Sequence, residues 1–529
     1  MLDTTRTQMV NLIAPEKYNI TQDLEKYATE SERQAIRWMD SQGTRQLLSY
    51  EQLVNNMNQY ANALISLGIE KGDRALIIIP RLPEAYCVYL ACLKAGLVPI
   101  PCSEMLRAND LEYRINHANA KAVIAYHAFT SEVNSITSKL QSLNLKLIIG
   151  KDEEGWISLD NIAVKQSVEF QAVETTRDDI AFLSYTSGTT GKPKGVVHSH
   201  GWGYAHVRTA ASNWLGVREG DLVWATAAPG WQKWIWSPFL STIMLGATAF
   251  VYNGSFNANK YLQMIQEEKI NVLCCTPTEY RIMAKLDELD HYNLSSLRSA
   301  VSAGEPLNRP VIDIFMKQFN LKVRDGYGQT ENTLLIGTME SMDLRPGSMG
   351  KPTPGNIVKI INIDGQEVVP GEVGDIAVHK SSPALFKEYY NEYERTRAAF
   401  RGEWYITGDQ AKYDEEGYFW FEGRSDDIIV SSGYTIGPFE VEDALNKHEA
   451  VQECAVVAAP DEIRGSIVKA FIVLKEAYEN REAELLTKEL QEHVKTLTAP
   501  YKYPRQIVFL KELPKTTSGK IRRIELREH

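Results

Sequence analysis

Between Ala75 and Ser302 the chain repeats one pattern: a short apolar run followed by a stretch long enough for a helix. The runs are Ala75 to Ile79, Val98 to Cys102, Ala122 to Ala125, Lys146 to Gly150, Leu222 to Ala227, Ala247 to Tyr252, Asn271 to Thr276 and Leu297 to Ser302. After Pro80, residues Ala85, Tyr89, Cys92 and Leu93 share one helical side, and Gly96 closes the segment. Strands alternating with helices pair in parallel under helical cover, and ligands collect at their carboxyl ends. From Gly355 to Trp420 the runs shorten and alternate around Asp364-Gly365 and Glu416-Gly417 turns, the signature of antiparallel strands. A new unit follows Gly423-Arg424-Ser425-Asp426-Asp427. It has a hairpin around Ser432 to Thr435, a helix near Phe439 to Lys447, strands Cys454 to Ala458 and Val468 to Leu474, and a helix with Leu486, Leu490, Val494 and Leu497 on one face. The expected fold is therefore α/β: a large domain over 1–425, with two helix-flanked, mostly parallel sheets and an antiparallel β subdomain, then a small α+β domain over 426–529. At 529 residues the chain exceeds what one core organises.

The most loaded stretch is Thr186-Ser187-Gly188-Thr189-Thr190-Gly191-Lys192-Pro193-Lys194-Gly195, which follows the apolar Ile180 to Leu183. Glycines let a backbone approach an anion, the hydroxyls of Ser187, Thr189 and Thr190 can bond its oxygens, and Lys192 and Lys194 add positive charge. That is the chemistry of a triphosphate cradle, although a solvated polar loop has the same composition. It is not a Walker loop, because two residues rather than four separate Gly188 from Gly191 and Pro193 follows Lys192. Ala303-Gly304-Glu305-Pro306 and Asp325-Gly326-Tyr327-Gly328-Gln329-Thr330-Glu331 follow apolar runs in the same way.

Net charge is -11 with no long Lys/Arg run, which excludes a nucleic-acid footprint and a polybasic membrane anchor. Cys87, Cys92, Cys102, Cys274, Cys275 and Cys454 lack metal-ligand spacing and sit mostly in apolar runs, as buried thiols of a reducing compartment do. No stretch approaches the length of a membrane span, and the first thirty residues lack a signal-peptide core, so cytoplasm is the expected location.

Five motifs in order, Thr186 to Gly195, Tyr327 to Glu331, Tyr405-Ile406-Thr407-Gly408-Asp409, Gly423 to Asp427, and Pro514-Lys515-Thr516-Thr517-Ser518-Gly519-Lys520, resemble those of the adenylate-forming enzymes. That superfamily comprises acyl-CoA synthetases, luciferases and peptide-synthetase adenylation domains, and the similarity covers nearly the whole chain. Thr498 to Arg505 and Ser432 to Pro438 look most like medium-chain acyl-CoA synthetases.

The resemblance implies that ATP activates a carboxylic acid as an acyl-adenylate, releasing diphosphate, and that the thiol of CoA then displaces AMP. It implies ATP contacts from Thr186 to Lys194, from Gly304, Glu305 and Pro306, from Asp325 to Thr330, and from Asp409 and Arg424. Glu331 matches the Mg²⁺-binding glutamate, Thr330 the α-phosphate contact, and Lys520 the adenylation lysine. Asp426 matches a hinge about which the small domain rotates between half-reactions. Ser432, Gly433, Tyr434, Arg464, Tyr503, Pro504 and Arg505 match positions lining the CoA path, where Arg464 and Arg505 could equally be solvated charges. The hairpin departs from these relatives in carrying Thr435 where they often have Arg.

For the acid, Trp231 and Trp234 are expected in the pocket, with Gly328 where acetate-using relatives place a tryptophan that shortens it; a tryptophan-rich run is equally ordinary core. Medium straight chains, short branched acids and aryl acids remain open. Two other readings stand beside this one. An amino-acid or aryl-acid adenylating enzyme would use no CoA, and its amino-acid form lacks here the usual Phe-Asp pair, Gly230-Trp231 standing there instead. A nucleotide-binding regulatory protein would not keep Glu331, Asp409 and Lys520 together.

Overall fold

The computed structural model of the protein describes residues 8–30, 32–186, 193–304, 307, 309–424, 427, 429–431, 434–461, 465–498, 502–515 and 521–528. Ser187, Gly188, Thr189, Thr190, Gly191, Lys192, Glu305, Pro306, Asp426, Ser432, Gly433, Arg464 and Lys520 lie outside the described residues. The chain packs as two compact units, Met1–Val358 with Val378–Glu403, and Lys359–Ala377 with Trp404–His529.

In the first unit the apolar runs form two large sheets. Among the described residues, one is five-stranded and parallel throughout, in the order Val98–Pro101, Arg74–Ile78, Ala122–Tyr126, Leu145–Ile149 and Ile157–Ser158. The other is nine-stranded, parallel from Val323–Gly328 through Ser299–Ala303, Val272–Cys275, Leu222–Ala225 and Thr248–Asn253 to Gln34–Asp40. Antiparallel strands lie on both of its edges. Leu76, Ile77, Val123, Ile124, Leu147 and Ile148 are all fully buried, because a parallel strand covered on both faces has no polar side. The helix Pro83–Lys94 begins with proline in its first turn and is buried nearly all round. Its one buried charge, Lys94, is satisfied by Glu25 Oε1 at 2.8 Å and Asn58 Oδ1 at 2.6 Å.

One expectation is corrected. The glycine-rich loop does not leave a strand of a parallel sheet. Its stem is an antiparallel hairpin, Ile180–Thr186 against Lys194–Ser199, in which Thr186 faces Lys194 and Glu388–Tyr389 pairs on the far side. Residues 187–193 are too few for a parallel crossover, which takes a dozen or more.

In the second unit Trp404–Tyr413 pairs antiparallel with Phe419–Arg424, and the Asp414 carboxylate accepts from the amides of Glu416 (3.0 Å) and Tyr418 (2.9 Å) to close the turn at Gly417. Beyond it, Val451–Asp461 runs antiparallel to Gly465–Leu474, which takes Gln506–Leu510 as a parallel neighbour. The helix Ala483–Leu497 buries Leu486, Leu490 and Val494, whereas Leu497 is half exposed. The helix Pro438–Asn446 carries Glu442, which is buried and receives Arg523 Nη2 on both oxygens at 2.8 and 2.9 Å and the Val456 amide at 2.7 Å. Lys515 pairs with Glu453 at 2.7 Å and bridges to Ile521, so the chain on either side of 516–520 is tied to the sheet and to the helix. Breaking a buried ion pair by removing one partner costs about 3 kcal/mol or more. Arg523→Ala is therefore expected to lower the chemical-denaturation midpoint of this unit, and Arg523→Met with Glu442→Leu to recover most of the loss. An unchanged midpoint in Arg523→Ala would show that Glu442 finds water without penalty.

Candidate active site

The site is built on a ladder of rings at every fourth residue. His198, at the end of the hairpin, and Trp202 and His206, on the helix His200–His206, lie one above the next: ring centroids are 4.3 Å apart for His198 and Trp202, and 5.2 Å for Trp202 and His206. Residues four apart share a helical face, and the Ser199 hydroxyl, accepting from the Trp202 amide at 3.1 Å, starts the helix in the right phase. Each ring grips the turn that follows Gly328. His198 Nε2 donates to the Thr330 carbonyl at 2.6 Å and Trp202 Nε1 to the Asn332 carbonyl at 3.1 Å. His206 Nε2 donates to the Trp236 carbonyl at 3.1 Å, which leaves Nδ1 to accept the Thr333 hydroxyl at 2.6 Å. The turn is closed from within by Asn332, whose side-chain oxygen accepts from the Gln329 amide at 2.8 Å. Burial depresses His198 and His206 to about 4, so both rings are neutral and have the single N–H these bonds require.

Held this way, Glu331 faces the stem of the glycine-rich loop. Its buried carboxylate lies 2.5 Å from Lys194 Nζ, and Tyr389 joins both: the hydroxyl donates to Glu331 Oε1 at 2.9 Å and accepts from Lys194 at 3.0 Å. The loop's exit is anchored by Tyr113, whose hydroxyl donates to the Pro193 carbonyl at 2.9 Å. Thr186 Oγ1, at the entrance, is buried and has no protein partner among the described residues. A lysine, a carboxylate and an unspent hydroxyl thus converge where the loop begins and ends.

Asp325 is buried, accepting from the amides of Gly326 at 2.8 Å and Leu307 at 3.4 Å. Burial raises its carboxyl to about 7 against the pull of those amides and of Lys233. Lys233 itself donates to the Ala303 carbonyl at 2.5 Å, just before the exposed Gly304. Gly326 must be glycine, since a Cβ there would lie 2.6 Å from the Trp214 indole. Tyr327, opposite Ile336, is half-buried.

In the second unit Asp409 and Arg424 sit opposite one another on paired strands, with Arg424 Nη1 at 3.4 Å from the buried carboxylate and its side chain partly exposed. The Tyr434 backbone pairs with Ser431. Tyr503 accepts a hydrogen bond from Arg505 Nη1 at 2.8 Å, and the Pro504 carbonyl accepts from Gln491 at 3.0 Å.

The acyl-side expectations divide. Trp231 is 36% exposed at the start of the turn Gln232–Trp234. Trp234 is a core residue, stacked on Phe239 at 4.9 Å with Tyr86 and Tyr89 against its edges. The tryptophan that meets Gly328 is Trp236, two residues beyond Trp234 in the same tryptophan-rich run, where the chain is π-helical over Ile235–Leu240. A Cβ on Gly328 would lie 2.2 Å from the Thr333 carbonyl oxygen and 3.0 Å from the Trp236 ring. Gly328 therefore serves a close backbone approach at the irregularity between Tyr327 and Gly328 in the strand register, and a side chain there would not simply extend into open space. The ladder residues, Tyr113 and Tyr389 were missed in the sequence reading. The spacing of His198, Trp202 and His206 was a usable signal, whereas Tyr113 and Tyr389 carry none in the sequence.

A glycine-rich loop on a hairpin stem, whose Lys194 meets the buried Glu331 carboxylate of the turn after Gly328, is the arrangement of a nucleotide-using enzyme. The chain belongs to the AMP-binding enzyme family, which matches residues 24–390, with the AMP-binding enzyme C-terminal domain matching residues 440–520. It is 59% identical to an uncharacterized acyl-CoA ligase, YtcI, of Bacillus subtilis (strain 168), over 98% of this chain and 97% of that one. It is 40% identical to the mitochondrial acyl-coenzyme A synthetase ACSM3 of Mus musculus, over 97% of this chain and 91% of the relative. Among solved structures, the anthranilate CoA ligase AuaEII in complex with anthranoyl-AMP superposes with a TM-score of 0.89 at 32% identity, covering 97% of this chain and 98% of that one.

Two predictions follow from this geometry. His198, His200 and His206 are each held by burial at about 4 in the folded chain against 6.5 unfolded, so their contribution is complete above pH 6.5 and is lost as pH falls towards 4. Asp325, raised to about 7, opposes them: it favours the fold at low pH and loses that contribution as pH rises from 3.8 towards 7. Three groups outweigh one, so the free energy of unfolding should drop by roughly 2 kcal/mol or more between pH 6.5 and 5. His200→Gln should flatten that slope and Asp325→Asn steepen it, as read by urea denaturation; a parent slope of the opposite sign would refute the neutral-histidine assignment. Separately, Gly328→Ala should lower kcat/KM by a similar factor for acids of every length, because the clash is with backbone. A loss confined to long acids would show that the new methyl enters the acyl cavity instead.

Proposed function

We propose that this protein is an AMP-forming acyl-CoA synthetase: a carboxylic acid, ATP and CoA become acyl-CoA, AMP and diphosphate. The observation that carries the reading is the pairing of Lys194 with the buried Glu331 carboxylate at the stem of the glycine-rich loop, in a chain related over nearly its full length to acyl-CoA ligases. An oxygen of the acid attacks the α-phosphorus of ATP and diphosphate leaves; the sulfur of CoA then attacks the acyl carbon and the bond to AMP breaks. Two anions meet in the first step, so its transition state depends on positive charge and directed N–H groups.

Lys194, the loop residues 186–192, Thr330 and Lys520 supply that environment, with Thr330 at the α-phosphate and Lys520 stabilising the charge that develops in the first step. Asp325 to Gln329 and Gly304 to Pro306 flank the adenine, and Asp409 accepts from the ribose hydroxyls with Arg424 beside it. Among the described residues no cluster of three or more His, Cys, Asp or Glu side chains could hold a metal. A single buried carboxylate such as Glu331 fits Mg²⁺, which is commonly held through one or two carboxylates together with substrate phosphates. When bound, Mg²⁺ neutralises phosphate charge. Residues 426–529 turn about Asp426 between the two steps, and Gly433, Tyr434, Arg464 and Tyr503 to Arg505 line the CoA path. Medium-chain, short branched or aryl acids are the substrates, with Trp231 and Trp236 on the acyl side. The six cysteines are free and buried, which supports a cytoplasmic enzyme; no described helix is long and apolar enough to cross a membrane.

The test is ATP–diphosphate exchange with an acid series, followed by thioester detection on adding CoA. Lys520→Ala should lose exchange by several kcal/mol of transition-state stabilisation while still converting supplied acyl-adenylate and CoA to thioester. Equal losses in both half-reactions would remove Lys520 from its role, and exchange without thioester would point to an adenylating enzyme with another acceptor.

A further inference from the structure

The segment Phe386 to Tyr390 straps the two halves of the phosphate site together. Its first amide, Phe386 N, donates to the Glu331 carbonyl at 2.7 Å. The next, Lys387 N, donates to the Val197 carbonyl at 2.9 Å, and Tyr390 N to the Gly195 carbonyl at 2.7 Å, so the strap runs along the strand that carries Lys194. Between these anchors Tyr389 is buried at 4% exposure, its own amide held by the Thr396 hydroxyl at 2.9 Å and its ring against Phe386 at 4.8 Å between centroids. The side chain is thus fixed at both its backbone and its ring, and the hydroxyl has little freedom. It lies between opposite charges: it donates to Glu331 at 2.9 Å, accepts from Lys194 at 3.0 Å, and offers Lys194 its ring face at 4.6 Å.

We propose that Tyr389 is a positioning residue of the phosphate site, holding the Glu331 carboxylate and the Lys194 ammonium as one unit so that both meet the Mg²⁺-nucleotide in a fixed geometry. The inference rests on the reading of Glu331 as the carboxylate that meets the metal. A hydroxyl is needed because one O–H both donates to the carboxylate and accepts from the ammonium, which neither a phenyl ring nor a second charge can do. Without the hydroxyl only the 2.5 Å contact would join the two charges, and the flexible, partly exposed lysine could leave it.

The test uses Tyr389→Phe, which keeps the ring, its packing and its face to Lys194. A thermal melt within a few degrees of the parent shows that the fold is retained. Nucleotide binding is then measured by isothermal titration with Mg²⁺ and with EDTA. Hydrogen bonds to charged groups set the scale of the effect, on the order of tenfold. The dissociation constant for Mg²⁺-ATP should rise about tenfold and the Mg²⁺ activation curve of ATP–diphosphate exchange should move to higher concentration, while binding of ATP in EDTA changes little. Glu331→Gln supplies the second arm: if Tyr389 acts through Glu331, adding Tyr389→Phe to Glu331→Gln should weaken Mg²⁺-ATP binding no further. Parental Mg²⁺-ATP affinity in Tyr389→Phe, or independent losses in the double variant, would overturn the inference while leaving Glu331 in place. A Glu331→Gln enzyme with the parent's Mg²⁺ dependence would overturn the underlying reading, and the inference with it. Equal weakening with Mg²⁺ and with EDTA would show that Tyr389 serves Lys194 alone, against the proposal.

Discussion

The grip of His198, Trp202 and His206 on the turn from Thr330 to Thr333 is the constraint from which the rest of the site follows. A turn that lies against two sheets cannot leave its carbonyls bare, since each unpaired buried oxygen costs on the order of 1–3 kcal/mol. Here the Thr330 and Asn332 carbonyls are taken by ring N–H groups, the Glu331 carbonyl by the Phe386 amide, and the Thr333 hydroxyl by His206. The backbone around Glu331 is therefore determined from three elements at once. Its carboxylate points towards Lys194. The same grip sets the Thr333 carbonyl against Gly328, which is why that position tolerates no side chain without displacement.

A lysine–glutamate pair with its carboxylate buried and its ammonium half-buried is not by itself a stabilising choice, because desolvating the charges offsets much of their attraction. Its retention at the stem of the loop makes sense as a device of position. The ammonium, on a strand, and the carboxylate, on the turn after Gly328, are tied together by the Phe386 to Tyr390 strap, so the two charges are held in one arrangement. The second unit uses the same device in a different place. Glu442 and Arg523 fix where the chain goes after the segment that ends in Lys520, while Lys515 and Glu453 fix where it enters. Both flanks of residues 516–520 are thereby tied by ionic contacts to regular structure.

Much of this was legible before any coordinates. The apolar runs from Ala75 to Ser302 became strands within a residue or two of their expected ends, because near-continuous Val, Ile, Leu and Ala segments can only be satisfied between two helical layers. The Asp-Gly and Glu-Gly turns closed antiparallel strands, and the Leu486, Leu490 and Val494 face was buried as its spacing required. The loop itself was found, but its setting was not: the run before it looked like every other parallel strand, and only the shortness of 187–193 forces a hairpin. It is Trp236, in the π-helical stretch Ile235–Leu240, that meets Gly328, while Trp234 packs against Phe239 in the core. Tyr389 could not have been found, since its partners stand 58 and 195 positions away and nothing local marks it.

Residue order alone determined which segments are strands and helices, which loops carry glycine, hydroxyl and lysine together, and which motifs declare an adenylate-forming chemistry. Those properties depend on local periodicity and on residue type, and both are written along the chain. Only the tertiary structure decided that Lys194 pairs with the buried Glu331 carboxylate, that Tyr389 bridges them, that Asp325 is dry enough to hold a proton near neutrality, and that Gly328 faces backbone. These depend on distances between segments far apart in sequence and on how much water is removed between them, and no pattern along the chain encodes either quantity.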